Sequence, residues 1–143
     1  WIQENKQTGQ CKITFNTCKL RCCPVCSMIA ARRTKSRLEA ALTGTKLAKW
    51  RLITLTQPQE EESLADSLTR LKRSFKCLRK TPNWKKYIRG GYAVLEITYN
   101  RKTDRWHPHF HVVAGGLFYP WRELREDWAR CSEGATVTDI RAI

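Results

Sequence analysis

Gly91-Tyr92-Ala93-Val94-Leu95-Glu96-Ile97-Thr98-Tyr99 is followed by a polar turn, Asn100–Arg105, and then by Trp106-His107-Pro108-His109-Phe110-His111-Val112-Val113-Ala114. Both runs are rich in β-branched and aromatic residues and are bounded by turn formers. Gly91–Tyr99 and His109–Ala114 therefore read as the two strands of an antiparallel hairpin. Alternate residues of a strand share a face, which sets His109 and His111 together and Phe110 on the opposite side. On the first strand, Ala93, Leu95, Ile97 and Tyr99 share the face assigned to the core, while Tyr92, Val94, Glu96 and Thr98 share the other. A register that pairs even with odd residues places Glu96, the single carboxylate of its strand, opposite His109 or His111. A slip of one residue would move Glu96 to the side of Phe110. All three histidines of the chain fall in this stretch, which an ordinary solvated sheet face does not explain. Glu96, His109 and His111 are the expected ligands of a divalent ion, with His107, of the same parity, in reserve. A mixed imidazole and carboxylate set suits Mn²⁺ or Mg²⁺ and argues against a Ca²⁺ cage.

Before the hairpin, Arg51–Thr56 reads as a short strand stopped at Pro58. Leu64, Leu68, Leu71, Phe75 and Leu78 then recur at helical spacing, the clearest amphipathic pattern in the chain. Glu60, Glu61 and Glu62 lead that helix and Arg79 and Lys80 close it, matching its dipole. Thr81–Arg89 is a short helix or loop. After the hairpin, Trp121, Leu124 and Trp128 make Pro120–Cys131 a helix with its tryptophans expected in the core. Thr136–Ile143 is a last strand. The order β, α, β, β, α, β describes an α+β domain over residues 46–143, with helices flanking an antiparallel sheet that carries the metal site.

Residues 1–45 differ in character. Five of the seven cysteines lie between Cys11 and Cys26, a clustering that reads as metal ligation rather than a spread disulfide framework. In Cys23-Pro24-Val25-Cys26 the two-residue spacing lets both sulfurs reach one ion. Cys22 adjoins Cys23 and points away from it, so the expected structural Zn²⁺ ligands are Cys11, Cys18, Cys23 and Cys26. A short hairpin is expected around Lys12–Phe15, and a basic helix over Ser27–Thr43 that buries Met28, Ala31, Leu38, Ala41 and Leu42. Arg32, Arg33, Lys35 and Arg37 of that helix are candidate DNA contacts.

With 27 Lys+Arg against 13 Asp+Glu, the 143-residue chain carries a formal charge of +14, which calls for a polyanionic partner. No apolar run is long enough to span a membrane, and no long basic amphipathic helix offers an aromatic insertion face. Nucleic acid is therefore the expected partner, and clustered thiols fit a reducing cytoplasm. An open divalent site in so basic a chain reads as phosphodiester chemistry. A non-haem iron oxygenase shares the two-His, one-carboxylate set but leaves the charge unexplained.

His109-Phe110-His111 resembles the His-hydrophobe-His signature of the HUH endonucleases. The wider context is most similar to the Rep replication initiators of bacterial rolling-circle plasmids. Cys18-x-x-Arg21-x-Cys23-Pro24-x-Cys26, Leu52-Ile53-Thr54-Leu55-Thr56, Leu95-Glu96-Ile97 with His107–His111, and Asp139-Ile140-Arg141-Ala142-Ile143 carry the likeness, in order. The resemblance implies a ferredoxin-like HUH topology and a metal-assisted attack by a tyrosine on single-stranded or hairpin origin DNA. A 5′-phosphotyrosine and a free 3′-OH would result, for use by the host replication machinery. The family's nucleophile stands on a helix well downstream of the His motif. Tyr87, Tyr92, Tyr99 and Tyr119 do not occupy that place, so no catalytic residue is assigned and the tyrosine is expected beyond Ile143. Two other readings remain: a non-enzymatic zinc-dependent nucleic-acid-binding module, and a relaxase or transposase of the same superfamily.

Overall fold

The structure, a computed structural model, describes residues 2–5, 7–13, 17–20, 22–44, 49–58 and 60–143. The chain divides into two compact units, Trp1–Thr45 and Lys46–Ile143.

In the first unit, β1 (Ile2–Glu4) pairs antiparallel with β2 (Cys11–Ile13), Glu4 opposite Cys11. The hairpin thus lies earlier than the expected Lys12–Phe15, and residues 14–16 fall outside the described set. The turn explains the shift: the Asn5 carbonyl accepts the N–H groups of Thr8 and Gly9, and Gly9 takes a φ of 64°, which glycine adopts without a Cβ clash. Helix α1 (Pro24–Gly44) starts earlier than Ser27, because proline suits the first helical position, where no N–H is needed. Its expected apolar face is not buried. Leu38 and Leu42 are half-buried, whereas Met28, Ala31 and Ala41 are exposed. Basic residues interrupt every apolar stripe on this helix, so it presents no face wide enough to bury.

The second unit contains β3 (Trp50–Thr56), α2 (Leu64–Leu78), α3 (Pro82–Tyr87), β4 (Ile88–Asn100), β5 (Arg105–Gly116), α4 (Trp121–Cys131) and β6 (Thr138–Ala142). Its sheet order is β4-β5-β3-β6 with every neighbouring pair antiparallel. β3-α2-β4 and β5-α4-β6 are therefore two split β-α-β units, each with a strand of the other between its own, the ferredoxin-like arrangement. Ser63 caps α2, its Oγ accepting the Asp66 N–H at 3.1 Å. Behind the sheet Ile53, Leu55, Phe110, Val112 and Ala114 meet Leu71, Leu78, Leu124 and Trp128 in one buried cluster. Phe75 of α2 stacks on Phe110 at 4.6 Å between centroids. Trp128 donates its indole N–H to the Thr56 carbonyl at 2.8 Å.

Two core assignments are corrected. Trp128 is fully buried, but Trp121 is exposed, because it occupies the first turn of α4. There its indole N–H reaches the Thr138 carbonyl and the Arg125 guanidinium lies over its ring. On β4 only Leu95 is half-buried, and Ala93, Ile97 and Tyr99 are exposed. β4 is an edge strand, and the helices cover β5 and β3 instead. The end of the hairpin is left with a Tyr99–Trp106 pair, 4.9 Å between centroids. Among the described residues, no helix is long and apolar enough to cross a membrane.

Candidate metal centre

The β4–β5 register places Glu96 directly opposite His109, and Val94 opposite His111. Paired residues of an antiparallel sheet point to the same face, so the face away from the helices carries Glu96, His107, His109 and His111. Glu96 Oε2 lies 3.3 Å from His109 Nε2 and 3.0 Å from His111 Nε2. The ligand atoms of all three residues lie within 4.8 Å of one another. His109 is largely buried, while the Glu96 side chain is 51% exposed, so the cluster is backed by protein and open on its carboxylate side.

The second nitrogen of each ring shows that this set fits a cation. His109 Nδ1 lies 3.2 Å from the His107 carbonyl. A carbonyl only accepts, so Nδ1 carries the proton, and in the neutral ring Nε2 then carries a lone pair. That lone pair faces a carboxylate oxygen. Two acceptors in contact repel unless a cation, either a metal ion or a second proton, lies between them. His111 is built alike: its Nδ1 is 3.1 Å from Thr54 Oγ1, an oxygen able to accept the ring proton. Such supports behind metal-ligating imidazoles fix the tautomer and ring orientation. Thr54 reaches this position because β3 pairs it with His111. Sequence reading of the ligands passed over Thr54, although a threonine alternating with leucines in Leu52–Thr56 places a hydroxyl on the polar face.

His107 shares that face but lies outside the three-residue group, its ring centroid 5.5 Å from that of His109. Burial, and after it the neighbouring His109, lower its pKa below the ordinary histidine value. None of the four tyrosines lies at the centre. Tyr119 is fully buried with its hydroxyl on Asp127 at 2.6 Å, and burial pushes its pKa well up. Tyr87 is buried against it. Tyr99 belongs to the helix-side parity and bonds Asp104. Tyr92 shares the Glu96 face, but four residues along a strand amount to roughly 13 Å.

In the first unit, Cys18, Cys23 and Cys26 bring their sulfurs within 4.8 Å of one another, with Cys18 and Cys26 Sγ 3.5 Å apart. Cys11 and Cys22 are exposed and stand outside this group. Cys23 immediately precedes α1, and the Cys26 backbone N–H leads the contacts that lower its thiol pKa. Burial raises that of Cys26. Three thiols in such proximity suit a thiophilic ion. Arg32, Arg33, Lys35 and Arg37 are all exposed on α1, where Lys35 pairs with Glu39 at 3.7 Å.

Fold and site together define a basic α+β protein with an open imidazole–carboxylate centre on a bare sheet face and a separate cysteine cluster. The chain belongs to a family of replication proteins: the family model described as "Replication protein" matches residues 11–118, a span that contains both ligand groups. It is 36% identical over 102 residues to a "Protein rep" of Staphylococcus aureus, covering 68% of this chain and 44% of that protein. Identity to a "Protein rep" of Bacillus amyloliquefaciens is 31% over 118 residues, or 78% of this chain and 34% of the relative. A "Protein rep" of Streptococcus pneumoniae serotype 2 is 28% identical over 101 residues, 67% of this chain and 32% of its own length. The chain thus spans less than half the length of these relatives. No solved structure matches it.

Proposed function

We propose that this chain forms the metal-binding and DNA-positioning part of a plasmid replication initiator of the HUH endonuclease type. Such a protein nicks and rejoins one strand of origin DNA in the bacterial cytoplasm. The observation that carries this reading is the convergence of His109 Nε2 and His111 Nε2 on one oxygen of Glu96, with both Nδ1 atoms engaged from behind. An Mn²⁺ or Mg²⁺ ion held by these three residues would neutralise charge on a non-bridging phosphate oxygen. Glu96 and the two histidines orient the phosphate, His107 and Thr54 keep the ring nitrogens aimed, and the +14 chain draws in the strand. In this reading Arg32, Arg33, Lys35 and Arg37 grip the DNA backbone, and Cys11 is the fourth thiolate of a structural Zn²⁺ site.

The chemistry is transesterification. A tyrosine oxygen bonds to phosphorus, the bond to the 3′ oxygen breaks, and that oxygen leaves as a 3′-OH with the 5′ phosphate on the tyrosine. Tyr87 and Tyr119 are buried and Tyr92 and Tyr99 are remote from the centre, so the nucleophile of this reading lies beyond Ile143. The 143 residues should bind single-stranded origin DNA in Mn²⁺ with affinity that falls steeply with salt, and form no covalent adduct. Extension through the downstream helix should restore nicking. His109→Ala combined with His111→Ala should abolish Mn²⁺ binding. A robust adduct from these 143 residues, or unchanged Mn²⁺ affinity in the double variant, would overturn the reading.

A further inference from the structure

A cavity of about 530 Å³ adjoins the metal centre, walled by Thr56, Gln57, Pro58, Asn100, His107 and the loop at 134–137. Two of these residues are tied to a ligand: Thr56 is the register partner of His109, and His107 supplies the carbonyl that holds His109 Nδ1. The wall is fixed rather than loose. Thr56 Oγ1 donates to the Val137 carbonyl at 2.9 Å, and Trp128 holds the Thr56 carbonyl from the core side. Asn100 Oδ1 accepts the Lys102 N–H at 3.0 Å, which leaves its amide NH₂ as the group for a ligand.

Gln57 gives the cavity its chemical preference. It is only 6% exposed, and its Nε2 donates to Ser74 Oγ at 2.7 Å. Ser74 Oγ in turn donates to the Arg70 carbonyl at 3.0 Å, so the amide orientation is set. Gln57 Oε1 is then a buried acceptor without a hydrogen-bond partner among the described residues. Buried polar groups of this kind are rare enough to call for an explanation. A donor brought by a ligand supplies one. The exocyclic amino groups of cytosine, adenine and guanine are such donors, whereas the exocyclic polar atoms of thymine are both acceptors.

We propose that this cavity receives the base of a nucleotide neighbouring the phosphate held at Glu96, His109 and His111, and selects a base that bears an exocyclic amino group. The proposal rests on the reading of the centre as a single-stranded DNA site and adds its sequence preference. A strand crossing the sheet face would set one phosphate at the centre and turn the adjacent base into the cavity. Gln57 accepts from that base, and Asn100 and His107 line its edge.

Fluorescence anisotropy of the 143-residue protein in Mn²⁺ with 12-mers of dC, dA and dT tests this directly. The dC and dA strands should bind about tenfold more tightly than dT, the size of a typical single-base discrimination. Gln57→Leu removes the acceptor, and Val137→Trp fills the cavity from an exposed position. Both should bring the three affinities to within about twofold of one another while leaving Mn²⁺ affinity unchanged. Equal binding of the three strands by the unaltered protein, or a preference that survives both substitutions, overturns the cavity assignment alone. Absence of binding to every strand overturns the single-stranded DNA reading beneath it as well.

Discussion

In residues 46–143 the ligands stand on a strand whose reverse side is packed. Phe110, between His109 and His111 in sequence, points into the core against Phe75, and Val112 and Ala114 continue the same buried row. In residues 1–45, Cys26 is the one buried side chain among the described residues, and the helix that follows it is exposed along most of its length. The sheet unit therefore positions its ligands before any ion arrives. The cysteine unit has almost no core to position anything, and its ligands converge where three thiols crowd the start of α1. A core that orients ligands can leave a coordination side open for substrate. Where no core exists, the ion must supply the folding energy, and closed ligation serves that purpose better.

The contrast breaks most directly through zinc. Stripping Zn²⁺ with a strong chelator should unfold residues 1–45, since structural zinc contributes about 10–16 kcal/mol to small metal-dependent folds. Amide exchange in α1 should become fast, while β3, β5 and α4 keep their protection. Equal protection of α1 with and without zinc would show that this unit stands without its metal. The converse test is Phe110→Ala, which should cost about 3–5 kcal/mol of stability in denaturant unfolding of the sheet unit. It should also weaken Mn²⁺ binding, because the strand that aims both imidazoles loses its anchor. A stable variant with unaltered Mn²⁺ affinity would mean that the core does not set the centre.

Thr54→Val sharpens the comparison at smaller scale. Valine keeps the side-chain shape and removes the oxygen 3.1 Å from His111 Nδ1. Mn²⁺ affinity by calorimetry should drop about tenfold, the lower end for loss of such a support. The unfolding midpoint should shift little, since Thr54 is on the open face. A large loss of stability with intact metal binding would assign Thr54 a packing role instead.

Much of this organisation is legible in residue order, for reasons of periodicity and chelation. The period of two in Val94–Thr98 and His107–His111 puts Glu96 and the histidines on one face, and the spacing Cys23-x-x-Cys26 puts two sulfurs within reach of one ion. The helical repeat from Leu64 to Leu78 is equally direct, since its apolar stripe had to be buried. These are local rules, and a chain obeys them before it knows its neighbours. Three matters were decided only by tertiary structure. Strand order made β4 an edge and left Ile97 and Tyr99 exposed, although their alternation is that of a core strand. Pairing of β3 with β5 brought Thr54 behind His111 from 57 residues away. The same pairing set Thr56 and Gln57 beside His107 around a cavity. Alternation states which side a residue takes, but burial and partnership depend on which element arrives on that side.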